Sequence, residues 1–82
     1  MKGIIVKINY SRGLVAVHTC DGFSIFEVIS KNELSEGDEI KWDSATDLGE
    51  VQIINLTRNH THKVYFQNHH VPAHLVPDQL KL

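Results

Sequence analysis

Eighty-two residues, 41% hydrophobic and 22% charged, indicate one small globular domain and exclude a long disordered or low-complexity chain. No apolar run approaches the roughly 20 residues of a transmembrane helix, and the N-terminus enters a strand pattern directly rather than a signal peptide, so no membrane is predicted. The single cysteine, Cys20, excludes an intrachain disulfide and predicts a cytoplasmic location, with a small polar or buried role for the thiol.

The net charge of −2 is unevenly distributed along the chain. Residues 1–57 carry five basic and nine acidic side chains, whereas residues 58–82 carry three basic side chains, one acidic side chain and five of the six histidines. An acidic body has no general attraction for phosphates. Any binding of nucleic acid must therefore depend on local charge and on stacking.

Alternating apolar residues predict three consecutive strands at residues 2–10, 14–19 and 23–29, joined by the turn sequences Ser11-Arg12-Gly13 and Cys20-Asp21-Gly22. A helical turn is predicted where Ser30 is followed three residues later by Glu33. Two further strands are expected at residues 39–43 and 48–56. Five short strands without a long helix predict an all-β fold, either a closed or nearly closed antiparallel barrel or a simple open meander.

The character of the chain changes after residue 57. We predict a barrel domain at residues 1–57 and a histidine-rich C-terminal extension at residues 58–82, in which residues 63–67 are a candidate sixth short strand. Pro72 and Pro77 exclude a continuous helix in the last part. The extension is expected to pack across the barrel or to be partly disordered.

Five segments of residues 1–57 follow one another in a characteristic order: KGIIVKIN (2–9), RGLVAV (12–17), DG with IFEVIS (21–22 and 25–30), LSEGDEIKW (34–42) and GEVQIINL (49–56). This order resembles that of cold-shock domains, small five-stranded OB-type barrels that bind single-stranded RNA or DNA. The resemblance implies the same fold for residues 1–57 and a single-stranded nucleic acid as the partner.

The family stacks unpaired bases on surface aromatic side chains, each stack contributing roughly 1–3 kcal/mol. At the matching positions this chain has Lys7, Leu14 and Ala16 instead of aromatic residues and keeps Phe26. The resemblance therefore implies weak binding, with phosphate contacts from two basic residues, one stacking ring and a platform beside it. The predicted nucleic-acid-binding residues are Lys7, Arg12, Leu14, Ala16, His18, Phe26 and Val28.

The same resemblance, applied strictly, turns Glu27 toward the barrel interior, where an unpaired carboxylate is costly. Glu27 must then lie at a barrel end or have a partner, or a bulge must shift the strand. The apolar face predicted from Leu14, Ala16, Phe26 and Val28 has two further interpretations: it is a docking surface for a protein or a second copy, or the floor on which the C-terminal extension packs. A protein-interaction or regulatory module is therefore the alternative function.

The remaining candidate residues predict neither a metal site nor a catalytic site. His60 and His62 would share one strand face, as metal ligands do, but no cysteine and few acids accompany them. The histidines of the extension are expected to be solvated, and no metal or cofactor is predicted. We find no nucleophile with a base, no paired catalytic carboxylates and no glycine-rich phosphate loop, so we predict that the protein is not an enzyme. Trp42 is predicted to lie in the core.

Overall fold

A computed structural model describes residues 1–29, 33–44 and 46–82. Its strands are β1 (Lys2–Asn9), β2 (Leu14–Thr19), β3 (Gly22–Val28), β4 (Glu39–Lys41), β5 (Gly49–Asn55) and β6 (His60–Val71). A 3-10 turn at Ala73–Leu75 and the one-turn helix α1 (Val76–Gln79) follow. Nothing helical in the described part of the chain has the length and apolarity needed to cross a membrane.

The strands close into a barrel in the order β1-β2-β3-β6-β5-β4, and every neighbouring pair is antiparallel. This confirms the predicted all-β antiparallel barrel and excludes the open meander. Closure pairs β1 with β4, so that each of these two strands covers the edge of the other. The helical turn predicted from Ser30 lies outside the described residues.

The sixth strand is longer than expected and belongs to the barrel wall. β6 spans twelve residues and pairs with β3 on one side and with β5 on the other. Alternation places Val64 and Phe66 inside the barrel and leaves Lys63 and Tyr65 exposed. The predicted division at residue 57 therefore falls in the turn between two barrel strands.

Two apolar clusters lie on opposite faces of β2 and β3. Successive β2 residues alternate between them, so that all of residues 14–17 are buried. Trp42 is buried as predicted, with its ring 4.9 Å from that of Phe66. The cluster inside the barrel contains Ile5, Ile8, Val15, Val17, Phe26, Leu34, Ile40, Trp42, Ile53, Val64 and Phe66. The outer cluster contains Leu14, Ala16, Ile25, Val71, Val76 and Leu80.

Candidate binding face

The face predicted to bind nucleic acid is covered by the C-terminal end of the chain. Leu14 is 6% exposed and Ala16 is fully buried, because both pack with Ile25 against Val76 and Leu80. We call Leu14, Ala16 and Ile25, with Phe23 at their margin, the outer face, and residues 72–82 the C-terminal segment. The sequence left several interpretations of this face open. In the structure, Leu14 and Ala16 are the surface against which the C-terminal segment packs.

The geometry of the C-terminal segment suits it to this face. Val76 and Leu80 are one helical turn apart, so their side chains lie on the same side of α1. The Leu80 amide donates to the carbonyl oxygen of Val76 at 3.0 Å and closes that turn. Pro77 is tolerated because it stands in the first turn, where its missing N–H has no helical partner.

Two polar contacts accompany the apolar ones. The side-chain amide of Asn9 donates to the carbonyl oxygen of Leu80 at 2.7 Å. The Asn68 side-chain amide donates to Oε1 of Gln79 at 3.5 Å, a long and exposed contact. The bond from Asn9 is therefore the stronger polar attachment of the two.

Phe26 is not available to stack on a base, which corrects the prediction from the resemblance. Its side chain is fully buried in the barrel, with its ring 5.4 Å from Phe66 in an edge-to-face arrangement. Val28 packs half-buried against the same interior cluster. The reason lies in the hairpin register: Phe26 is the cross-strand partner of Val15 and so shares its inward face.

The sequence contained the signal for this register. A two-residue turn at Cys20 and Asp21 pairs Thr19 with Gly22, and counting back along both strands sets Phe26 opposite Val15. Glu27 then points outward, and it accepts a hydrogen bond from the Gln67 side chain at 3.3 Å. The pairing of β3 with β6 shifts on both sides of Ile25, so this strand is also irregular.

Three of the seven predicted residues remain exposed: Lys7, Arg12 and His18. Lys7 is the cross-strand neighbour of Ala16 and therefore stands at the margin of the outer face. His18 lies farther along β2, with its ring 4.8 Å from that of Phe23. The structure thus does not bring the seven residues together on one accessible surface.

An open pocket of about 310 Å³ lies beside His18, and its lining includes Lys2, Cys20 and Glu39. Cys20 is exposed rather than buried. Within residues 1–29, 33–44 and 46–82, no three histidine, cysteine or acidic side chains are arranged to hold a metal ion. The pocket therefore offers mixed charge but no assembled ligand set.

His69 forms a buried network that the sequence did not predict. The His69 Nε2–H donates a 2.7 Å hydrogen bond to the backbone carbonyl oxygen of Asp47, because a carbonyl oxygen can only accept. Nδ1 of the same ring then accepts a 2.8 Å hydrogen bond from the Ser24 hydroxyl. The imidazole also stacks on Phe66, with ring centroids 4.8 Å apart. This histidine, expected to be solvated, instead fastens β3 and the loop before β5 to β6.

His60 and His62 stand at the start of β6, with ring centroids 6.0 Å apart. Burial lowers the pKa of His62, the neighbouring His60 lowers it further, and the charge of Glu33 opposes both. Nε2 of His62 is buried without a hydrogen-bond partner among the described residues. The pair thus favours a neutral imidazole at position 62.

Comparisons of the chain with protein-family models, with curated proteins and with solved structures found no match. The functional proposal therefore rests on this chain's own contacts and charges.

Proposed function

We propose that this barrel is a protein-interaction or regulatory module. The observation that carries the proposal is the burial of Leu14 and Ala16 under the C-terminal segment, together with the inward position of Phe26. A stack on one base contributes roughly 1–3 kcal/mol, and the family-type ring that would supply it is inside the barrel. The same face is at present filled by Val76 and Leu80, so the side chains it packs against are those of a polypeptide and not bases.

The outer surface of β1, β4 and β5 supports a protein partner as well. Ile4 is 41% exposed and stands opposite Glu39, while Ile54 is 39% exposed and stands opposite Lys41. Lys2 in turn stands opposite Lys41. A phosphate-binding surface is predominantly basic, whereas here the basic side chains lie among exposed isoleucines and an acid.

Weak binding of single-stranded nucleic acid is the second candidate, and one specific observation favours it. Lys7, Arg12 and His18 remain exposed, and His18 forms a ring pair with Phe23 beside the outer face. Such a site would lack Phe26 and the covered residues Leu14 and Ala16, so we expect little affinity.

We also propose that the chain is a divergent relative of cold-shock domains. The closed antiparallel barrel supports this kinship, although β6 stands between β3 and β5 as an addition to the five strands of that family. The free and exposed thiol of Cys20 supports a cytoplasmic location.

An amide chemical-shift titration of the labelled full chain with a short oligothymidine at low salt separates the two candidate functions. We expect no salt-sensitive shifts at Lys7, Arg12 and His18 at millimolar oligonucleotide. Shifts concentrated there and fading as salt rises would overturn the proposal in favour of nucleic acid. Affinity purification of the tagged chain from the cells that produce it tests the proposal directly. After nuclease treatment, we expect a bound protein to remain in stoichiometric amount.

A further inference from the structure

The contacts of the C-terminal segment show which kind of polypeptide segment fits the outer face. Resting on the proposed function, we infer that the outer face is a docking site for a partner protein's short helical turn, with apolar side chains at positions i and i+4. The C-terminal segment occupies that site as an intramolecular competitor, and it must dissociate from the outer face before the partner binds.

The fit of the present occupant gives the chemistry of the partner. Val76 and Leu80 are the apolar pair at i and i+4, and Leu80 is completely buried on the face. Ala16 has a small side chain in the same cluster and leaves room for two larger ones. Asn9 contributes one directional contact, because its side-chain amide donates to an acceptor placed as the carbonyl oxygen of Leu80 is.

Charged side chains stand at the margin of the outer face but do not contribute to the present contact. Lys7 stands beside Ala16, and Arg12 lies in the turn between β1 and β2; both are exposed. Asp78 is two positions after Val76, so it lies on the side of the turn opposite the apolar pair, and it is exposed. Recognition on the outer face therefore depends on the apolar pair rather than on charge.

The C-terminal segment is attached weakly enough to be displaced. Within the described chain, residues 72–82 pair with no strand, and α1 is a single turn. Two apolar side chains and one short hydrogen bond hold the segment, against the conformational entropy of ordering its backbone. Segments with so few buried contacts open locally while the rest of a domain stays folded.

The experiment uses the full chain and a synthetic peptide of residues 72–82 (PAHLVPDQLKL) as the probe. The double substitution Val76→Ser with Leu80→Ser removes the apolar pair and opens the face. The matched control, Leu75→Ser with Leu82→Ser, changes two exposed leucines of the same segment. Peptide binding is followed by amide shifts at Asn9, Ala16 and Ile25.

We expect the peptide to bind the opened variant roughly tenfold or more tightly than the native chain or the control variant, because the internal occupant no longer competes. A peptide with serine at both apolar positions is expected not to bind. Absence of peptide binding to an opened variant with a folded barrel spectrum would overturn the inference. The native chain could instead exchange its C-terminal segment with that of a second copy, which would appear as a concentration-dependent dimer. That result would identify the partner as a second copy and would also overturn the inference.

Amide exchange of the native chain keeps the inference testable if the opened variant does not fold. The Leu80 amide is expected to exchange faster than the Ile53 amide through local opening, and exchange of both at one global rate would overturn the inference. The opened variant is also titrated with oligothymidine. Binding of oligothymidine defeats this inference and the proposed function together, whereas loss of peptide binding alone leaves the proposed function standing.

Discussion

The side-chain amide of Asn9 donates a 2.7 Å hydrogen bond to the carbonyl oxygen of Leu80, joining the end of β1 to the last turn of the chain across 71 positions. Asn9 in turn accepts a 2.9 Å hydrogen bond from the Ser11 hydroxyl, which orients its amide. Because the Leu80 side chain is buried on the outer face, this bond fixes the C-terminal segment over β2. The end of the first strand thereby helps to hold the last turn of the chain against the outer face.

Replacing Asn9 with alanine is expected to loosen the C-terminal segment and leave the barrel intact. Loss of one such hydrogen bond destabilises the closed segment by about 1 kcal/mol, which corresponds to roughly fivefold faster exchange of the Leu80 amide. The control Ser11→Ala removes only the bond to Asn9 Oδ1 and is expected to have a smaller effect. Unchanged Leu80 exchange in Asn9→Ala would show that this bond does not hold the segment.

Truncating two equally buried side chains should have unequal effects. Leu80 and Ile53 are both 0% exposed, but Ile53 lies inside the barrel and Leu80 outside it. Ile53→Ala is expected to lower the free energy of unfolding by about 2–5 kcal/mol. Leu80→Ala is expected to lower it by less, because its loss cannot exceed the free energy of opening the C-terminal segment.

Urea unfolding followed by the fluorescence of Trp42, which lies in the barrel core, measures both variants. Equal losses for Leu80→Ala and Ile53→Ala would mean that the segment unfolds only together with the barrel. That result would contradict its local opening.

Asp38 is expected to make the fold sensitive to acid. Burial alone would raise its pKa, but hydrogen bonds to Oδ2 from Asn55 at 2.8 Å, Arg58 at 2.9 Å and the Ser35 amide at 3.0 Å together hold the pKa below its ordinary value. A carboxyl with a lowered pKa stabilises the fold above its unfolded pKa of about 4, and this stabilisation is lost as the pH falls through the folded pKa.

Asp38→Asn is therefore expected to flatten the fall of the unfolding free energy below about pH 4. At neutral pH the variant should lose roughly 1–3 kcal/mol, because the donors around Oδ2 lose their charged acceptor. Urea unfolding at a series of pH values measures both effects. Asp43→Asn, at an exposed acid, is the control, and an acid dependence shared by the native chain and Asp38→Asn would refute this role.

His62 predicts a second, milder pH dependence. Burial, followed by the charge of His60, lowers its pKa against the opposing effect of Glu33. The unfolded chain then binds more protons than the folded chain, so stability declines as the pH falls from about 6.5 through the folded pKa. Thermal unfolding between about pH 7 and about pH 5 should show this decline in the native chain.

His62→Gln is expected to abolish that decline, whereas His74→Gln, at an exposed histidine of the 3-10 turn, should keep it. A slope that persists unchanged in His62→Gln would assign the pH dependence to another group.

Local patterns in the sequence determined the strands and part of the surface. The alternation of apolar residues and the glycine turns placed β2 at its observed residues and located β1, β3 and β5 within one or two residues. Lys7, Arg12 and His18 are exposed as a surface site requires. Counting from the turn at Cys20 and Asp21 would also have placed Phe26 on the same face as Val15, since a hairpin register depends only on residues that are close in sequence.

Contacts between distant parts of the chain were decided by the tertiary structure alone. The pairing of β6 with β3 brings His69 to Ser24, 45 positions away, and buries a histidine that was expected to be solvated. The same closure brings Leu80 over Leu14 and Ala16. Separated apolar residues such as Val76 and Leu80 do not indicate in the sequence which surface will bury them, because hydrophobic burial is non-directional and only the closed barrel offers a particular face.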